Sequence, residues 1–452
     1  MKPYIPLVMD ATHAAPLNSY CIITYGCQMN DHDSEIMAGI LDARGMHPVK
    51  DESLADVVIV NTCVVRGGAE ERALGRIGQM AGLKKRRPGM IIAVAGCMAQ
   101  KDAGQLIARM PHLDMVIGTR DLYKLSSLID EFNRTGESLV SIKDVDKPVF
   151  LDAFPVRRKH KIKALTTIMY GCGNLCSYCV VPQTRGREVS RPMSEIADEV
   201  RRLGDDGYKE VLLIGQNVNS YCHEGRDFAD LLEALNGISG IERIRFITSH
   251  PKDCSDKLIE AVASLDKVCE NFHLPAQSGS DSVLERMNRR YSAGHYLGLV
   301  EKIRQRMPGA AVTTDLIVGF PGETEADYEQ TCELLERSRW DSAFIFMYSP
   351  RAGTPAAQWP DSVPLAEKKR RLQRCLARQE EISGGINRAL AGQKLEALVE
   401  SVSRRSARQL IGRARGGKCV IFDGDAGLIG KLVQVKITGS APHTLFGSID
   451  EA

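Results

Sequence analysis

Apolar and polar positions alternate in two rhythms along this chain of 452 residues. Three short β-branched runs near the start, YCIITYGC ending at Cys27, DVVIVNTC ending at Cys63 and MIIAVAGC ending at Cys97, are apolar on both faces and of strand length. Residues 34–44 and 69–86 between them carry helical spacing, so strand, cysteine and helix recur at intervals of 36 and 34 residues. Strands apolar on both faces with helices between them predict a parallel sheet. Its strands all end on one edge, so three cysteines far apart in sequence are expected to converge there. A fourth run, Leu113 to Gly118, lacks the cysteine and is expected to flank the sheet. The charged stretch 144–163, with RRKHKIK, reads as an exposed linker that ends this domain.

From Ala164 the units lengthen. ALTTIMYG, EVLLIGQNV, RIRFITSH, NFHLPAQ, AVTTDLIVGF and SAFIFMY are strand-like, and amphipathic stretches such as 194–203 and 280–306 separate them. Six βα units predict a partial (βα)6 TIM-like barrel with its site at the C-terminal strand ends. A basic helix follows at 364–390, and beyond Gln393 short alternating runs predict a small all-β barrel. The expected fold is therefore α/β: an N-terminal doubly wound parallel-sheet domain, a central partial barrel and a C-terminal small all-β barrel. The expected divisions are an extension at 1–17 and domains at 18–150, 151–390 (including the basic connecting helix) and 391–452.

The length exceeds what one core supports. With 43% hydrophobic and 26% charged residues, and no run near the eighteen or so apolar residues of a membrane span, the composition points to a soluble protein that does not enter membranes. The first twenty residues hold one lysine and no apolar h-region, so they do not read as a signal peptide and the cytoplasm is the expected location. Thirteen cysteines in a reducing compartment point to metal ligands more than to disulfides. The net charge of +2 leaves polyanion binding to local patches: Lys84, Lys85, Arg86 and Arg87; RRKHKIK; Lys368 to Arg371 with Arg374; and Arg404, Arg405, Arg408, Arg413 and Arg415.

The stretch MYGCGNLCSYCVVPQTRG places Cys172, Cys176 and Cys179 within eight residues, a spacing expected by chance about 0.01 times in a chain of this cysteine content. Three thiolates on one short loop suit three irons of a 4Fe-4S cluster, with the fourth iron left open. A structural zinc would require a fourth ligand, and the nearby candidate, His160, lies upstream in the linker.

That triplet after the first barrel strand resembles the radical S-adenosylmethionine (SAM) superfamily. With YGCQMN and Asp33-Ser34, NTC, AGC, TRGRE and SRP, LPAQSGS, DLIVGFPGET and YSPRAGTPAA, the chain resembles the radical SAM methylthiotransferases over nearly its whole length. The resemblance implies an N-terminal auxiliary-cluster domain, a central radical SAM domain and a C-terminal TRAM domain. It implies two 4Fe-4S clusters, one held by Cys27, Cys63 and Cys97 and the catalytic one by Cys172, Cys176 and Cys179, with SAM as cofactor. Candidates for contact with SAM are Gly215, Gln216, Ser249, Gln277 and Arg187, with Gly322 permitting close backbone approach. Tyr178 is a candidate to pack over the adenine, an ordinary core aromatic being the alternative.

The implied reaction converts a C–H bond to C–S–CH3, with a flavodoxin or ferredoxin as electron donor and a monomer as the expected state. LLIGQNVNSY (212–221) resembles the branch acting at C2 of N6-isopentenyladenosine beside the tRNA anticodon, and an apolar pocket for the isopentenyl group is expected from it. The alternatives within the family are a ribosomal-protein aspartate and threonylcarbamoyladenosine in tRNA. Gln183 stands where that branch usually has Tyr, and Cys222 where Gly is usual.

Overall fold

The structure, a computed structural model, describes residues 17–64, 67–143 and 154–450. The expected extension at 1–17, apart from Leu17, and the first part of the expected linker, 144–153, lie outside the described residues. The chain separates into two compact units, one of residues 1–159 with 170–173 and 180–189, the other of 160–169, 174–179 and 190–452. Among the described residues no helix is long and apolar enough to cross a membrane.

In the first unit six parallel strands, β1 (Ser19–Tyr25), β2 (His47–Pro48), β3 (Val57–Thr62), β4 (Ile91–Gly96), β5 (Met115–Ile117) and β6 (Leu139–Ser141), lie in the order β2-β1-β3-β4-β5-β6. Helices α1 (Gln28–Ala43), α2 (Gly67–Arg86), α3 (Cys97–Arg109) and α4 (Leu125–Thr135) cover the sheet. Val57 and Ile59 pack into a core with α1 and α4, and Val58 and Val60 into a second core with α2 and α3. Burial on both faces is the reason the run VVIV shows no alternation. The run 113–118 is not at the edge, because the short β6 pairs beyond β5. Three residues with one exposed position are too few to register as a strand in sequence.

RRKHKIK is exposed at Arg157, Lys159, His160 and Lys161, as expected, but its first residues are tied to α1. Arg157 pairs with Asp42 at 2.7 Å and Arg158 with Glu35 at 3.5 Å, while the Lys159 amide donates to Glu35 at 2.8 Å. Gly39 permits this approach, since a Cβ there would lie 2.1 Å from the Pro155 carbonyl oxygen.

The second unit opens with six parallel strands, β7 (Lys163–Thr167), β8 (Glu210–Ile214), β9 (Arg243–Phe246), β10 (Asn271–His273), β11 (Ala311–Val318) and β12 (Ser342–Met347). They form two three-stranded sheets, β9-β8-β7 and β10-β11-β12, bridged in parallel between Ile244 and Val268. Val211, Leu213, Ile244, Phe246, Phe272, Leu316 and Ile345 belong to the largest apolar core. Alternation then turns Lys163, Glu210, Arg243, Arg245, His273, Asp315, Phe344 and Phe346 to the opposite, inner face. The long helix α12 (Leu365–Arg388), twelfth in chain order, leads to a closed barrel of β13 (Lys394–Val402), β14 (Gln409–Ala414), β15 (Cys419–Asp423), β16 (Leu432–Ala441) and β17 (Thr444–Ile449).

Charged side chains at the N-terminal ends of β7 to β9 find their partners in this small barrel. Arg243 is fully buried and donates to the carbonyls of Arg413 (2.5 Å) and Glu396 (3.1 Å) and to the Glu396 carboxylate (2.8 Å). Arg245 donates to Glu210 and to the carbonyls of Ala414 and Arg415 at 2.7–2.8 Å, and Lys163 pairs with Glu400. The small barrel thus caps the floor of the partial barrel through hydrogen bonds to buried cations. Arg243→Ala removes the donor to three acceptors and is expected to cost about 3 kcal/mol. Calorimetry should show a lower melting temperature for the transition containing the small barrel, and a trace identical to wild type would contradict the role assigned to Arg243.

Candidate functional site

The three N-terminal cysteines are set by strand register. Tyr25 pairs with Thr62 and Thr62 with Gly96, so Cys27, Cys63 and Cys97 follow the ends of three adjacent strands. The Cys63 amide donates to the Tyr25 carbonyl at 2.9 Å. Cys27 is the N-cap of α1 and Cys97 the first residue of α3, positions at which the helix dipole favours thiolate, although burial outweighs it at Cys97 and pushes that thiol up. Gly96 makes this turn at φ +92, and a Cβ there would lie 2.3 Å from Asn61 Oδ1. Buried Asn30 and Asn61 tie the start of α1 to the end of β3: Asn30 Nδ2 donates to Asn61 Oδ1 (3.2 Å) and Asn61 Nδ2 to the Asn30 carbonyl (2.8 Å). The asparagines of YGCQMN and NTC therefore brace the cysteines.

A residue not singled out from sequence completes the set. Arg185, at the end of α5 (Val181–Arg185), is buried, donates from Nε to Cys97 Sγ at 3.3 Å and pairs with buried Asp33 at 2.6 Å. The Arg120 guanidinium donates to the Arg185 carbonyl at 2.7 Å, and Thr119 to that of Thr184 at 2.6 Å. TRG in the sequence offered no spacing that linked it to residues ninety positions earlier.

Among the described residues no three His, Cys, Asp or Glu side chains are arranged to hold a single metal ion. A 4Fe-4S cluster takes one thiolate per iron and spreads its ligands around a larger body. Three sulfurs on one edge, two of them at helix N-termini and one of those two also receiving an arginine hydrogen bond, fit that demand.

In the second triplet Cys172 is half-buried, and its amide donates to the Gly186 carbonyl at 3.1 Å. Gly171 before it has φ +73, and a Cβ would lie 2.0 Å from the Arg187 carbonyl oxygen. Residues 175–179 are gripped elsewhere. Ser177 Oγ donates to the Arg286 carbonyl (2.7 Å), the Ser177 amide to that of Met287 (3.1 Å) and Asn288 Nδ2 to that of Leu175 (2.8 Å). The Cys179 amide closes a turn on the Cys176 carbonyl. Arg289 Nη1 donates to buried Cys176 Sγ at 3.4 Å. Tyr178 meets Phe320 edge-on, with ring centroids 6.3 Å apart.

The strand ends of the partial barrel carry buried polar atoms that no group among the described residues satisfies: Thr167 Oγ1, Asn217 Oδ1, Ser249 Oγ, His250 Nε2, Gln277 Oε1 and Tyr348 Oη. They follow or end β7, β8, β9, β10 and β12, and buried polar atoms of this kind require a partner. Two of the expected SAM contacts, Ser249 and Gln277, belong to this set, and Gln277 is held at φ +69 by its bridge to Leu316. Gly215 has no room for a side chain, a Cβ lying 2.5 Å from Met169 Cγ, and Gln216 is half-buried beside it.

Arg187 is exposed and belongs to segment 180–189 of the first unit. Gly322 is exposed at φ +77, with Arg286 Nη1 2.0 Å from where a Cβ would stand. His250 was not foreseen: burial, aided by the charges of Arg289 and Lys252, pulls its ring down to about 2, so it is neutral. Its Nδ1 accepts from the Lys252 amide, leaving Nε2 as the donor.

GQNVNSY does not itself offer open apolar side chains. Val218 and Tyr221 are buried in the core, and Asn219 exchanges hydrogen bonds with the His250 backbone at 2.8 and 2.9 Å. Open apolar surface occurs instead on the inner face, where Phe344 and Phe346 are 49% and 38% exposed and Ile317 pairs with Phe346. Gln183 and Cys222 are both exposed.

Most of the basic patches also have internal partners. Lys84 pairs with Asp114, Arg87 with Asp56, Lys368 with Asp361, Arg370 and Arg371 with Glu325 and Glu367, Arg413 with Glu400 and Arg415 with Glu270. Arg404, Arg405 and Arg408, exposed on the β13–β14 turn, enter no ion pair among the described residues.

Three family descriptions match: Uncharacterized protein family UPF0004 over residues 19–118, the Radical SAM superfamily over 166–335 and the TRAM domain over 388–449. The chain is 47% identical over 433 residues to the tRNA-2-methylthio-N(6)-dimethylallyladenosine synthase of Syntrophomonas wolfei subsp. wolfei, spanning 95% of this chain and 97% of that one. The chain belongs to this family. Proteins of the same name from Moorella thermoacetica (47% identity, 95% and 98% coverage) and Clostridium botulinum strain Loch Maree (46%, 97% and 99%) match as fully. It is a radical SAM enzyme with the three-part fold expected from its sequence. The solved radical SAM methyltransferase TsrM from Kitasatospora setae, with tryptophan and aza-SAM bound, shares the fold at a TM-score of 0.52 and 14% identity over 75% of each chain.

The Cys27 thiol is pulled down to about 6, chiefly by a hydrogen bond from Cys63, against its burial and with help from the Arg185 charge. A lowered value means that thiolate forms as pH rises through about 6. Alkylation of Cys27 in cluster-free protein should therefore rise to a plateau just above pH 7, and Cys63→Ala should move the inflection upward. An inflection near that of a free cysteine, about 8.5, would contradict this.

Proposed function

We propose that the enzyme methylthiolates C2 of N6-dimethylallyladenosine beside the anticodon of tRNA. The observation that carries this reading is the set of unsatisfied polar atoms at the strand ends of the barrel, in a chain whose relatives bear that name over nearly their full length. The carbon attacked has no acidic proton, so the difficult step belongs to cofactors, and the protein supplies binding and orientation.

When bound, SAM at a 4Fe-4S cluster on Cys172, Cys176 and Cys179 supplies the hydrogen-abstracting radical, and a second cluster on Cys27, Cys63 and Cys97 supplies the sulfur. Ser249, Gln277, Asn217 and Tyr348 offer hydrogen bonds to the polar groups of SAM, and His250 offers a donor that stays uncharged. Gly215 and Gln216 line the same strand end. Arg187 is retained as a contact candidate from the motif that carries it. A flavodoxin or ferredoxin as electron source, a cytoplasmic location and a monomeric state complete the reading.

Phe344 and Phe346 receive the dimethylallyl group, because they are the large apolar side chains left exposed on the inner face, with half-buried Ile317 paired beside Phe346. The exposed arginines 404, 405 and 408 grip RNA phosphates.

Three outcomes follow. Replacing Cys27, Cys63 and Cys97 together by Ala should lower reconstituted iron from roughly eight to roughly four per chain while 5′-deoxyadenosine still forms and methylthio transfer stops; unchanged iron would overturn the two-cluster assignment. Burying five carbons at about 0.8 kcal/mol each contributes up to roughly 4 kcal/mol, so unmodified tRNA should react several hundredfold more poorly, and Phe346→Ala should erode that preference about tenfold. Equal turnover on both tRNAs by wild-type enzyme would refute the pocket. Replacing Arg404, Arg405 and Arg408 by Ala should flatten the salt dependence of tRNA binding by somewhat under one log-log unit per lost contact, and a wild-type slope would refute that grip.

A further inference from the structure

Seven arginines among the described residues are buried: Arg120, Arg185, Arg191, Arg243, Arg245, Arg289 and Arg371. Five meet a carboxylate, from Asp33, Glu199, Glu396, Glu210 and Glu323 respectively for Arg185, Arg191, Arg243, Arg245 and Arg371. Arg120 and Arg289 do not. Arg120 stands behind Arg185 and donates to its carbonyl. Arg289, 5% exposed, spends its donors on the Tyr291 hydroxyl (2.9 Å), the Pro275 carbonyl (2.8 Å) and Cys176 Sγ (3.4 Å).

A guanidinium taken out of water without a counter-charge costs several kcal/mol, and this one is held by strained backbone. Both neighbours, Asn288 and Arg290, sit in the left-handed region at φ +58, a conformation that non-glycine residues adopt at a cost. The same segment grips the cysteine loop through Asn288 and Met287. The fold therefore invests strain and desolvation in keeping one positive charge against one sulfur, and among the described residues no carboxylate pairs with that charge.

We propose that Arg289 is a positioning and tuning residue for the iron-sulfur cluster that Cys176 ligates, its charge and its N–H to Cys176 Sγ raising the potential at which that cluster accepts an electron. This rests on the assignment of Cys172, Cys176 and Cys179 as cluster ligands. Thiolate ligation brings the missing negative charge. One-electron reduction adds one more unit of it to the cluster, so a fixed cation nearby favours the reduced state. The electron comes from an external low-potential reductant, and no bond changes at Arg289. The first triplet differs: Arg185 also donates to a cysteine sulfur, but Asp33 cancels its charge, so it orients Cys97 with little electrostatic effect on potential.

The test is a dithionite titration of the full chain carrying both clusters, followed by electron paramagnetic resonance, the cluster in question being the one whose signal changes on adding SAM. Arg289→Gln keeps a donor and removes the charge; Arg289→Lys keeps the charge. Arg289→Gln should shift the reduction equilibrium at least tenfold toward the oxidised form, about 59 mV for one electron, while Arg289→Lys stays near wild type and the other cluster does not move. Loss of iron in Arg289→Gln with retention in Arg289→Lys also supports the charge. Wild-type potential in Arg289→Gln, equal shifts in both variants, or equal loss of iron in both would overturn the proposal. Full iron in Cys176→Ala would overturn the ligand assignment instead, so the two failures are distinguishable.

Discussion

In a parallel sheet every strand ends on the same edge, and a residue placed just past one strand is brought beside a residue just past the next whatever their separation in sequence. Much of the chemistry in this chain depends on that constraint. Cys27, Cys63 and Cys97 are neighbours because Tyr25, Thr62 and Gly96 are in register across β1, β3 and β4. Ser249 and Gln277 belong to one set because β9 and β10 end together. The helices that follow add their N-terminal partial charges to the same edge; the Cys27 thiol there is pulled down, while burial pushes that of Cys97 up.

Charge is the second constraint, and the chain handles it differently at the two ends of the partial barrel. At the floor, Arg243 and Arg245 are buried, but carbonyls of the small barrel, together with its Glu396 and with Glu210 of the partial barrel, accept their hydrogen bonds. Those contacts fix the small barrel in place, and the guanidiniums of Arg413 and Arg415, which look in sequence like part of an RNA-binding patch, are taken by Glu400 and Glu270. At the mouth, by contrast, polar atoms are left unsatisfied and Arg289 meets no carboxylate among the described residues. Whether a buried charge has a carboxylate partner is a distinction that residue type does not reveal.

This distinction separates what was legible in the sequence from what was not. The architecture was legible because strand length, apolar runs and helical spacing are local. The cysteine sets were legible because the triplet spacing is local and the single cysteines share one strand-end context. Arg185 and Arg289 were not, since each acts on a cysteine 88 or 113 positions away. GQNVNSY misled for a related reason: Val218 and Tyr221 look like available apolar groups, but the loop after β8 turns them inward and leaves Asn219 to hold His250. The basic patches misled because their carboxylate partners lie on other elements.

The inner face shows how one strand serves both roles. Along β12, Ile345 is buried against the helices while Phe344 and Phe346, one residue to either side, stay open. In a closed eight-stranded barrel, side chains from facing strands would fill that interior. Six strands that do not close leave the phenyl groups uncovered, with His273 and Asp315 nearby as the polar side of the same face: Asp315 pairs with Phe344 across the strands and lies 3.5 Å from His273. An enclosed core would be more stable, but it would leave no volume for a nucleoside. The open barrel gives up that packing, and the surface it exposes combines an apolar strip with polar groups, as recognition of a base bearing an alkyl chain requires.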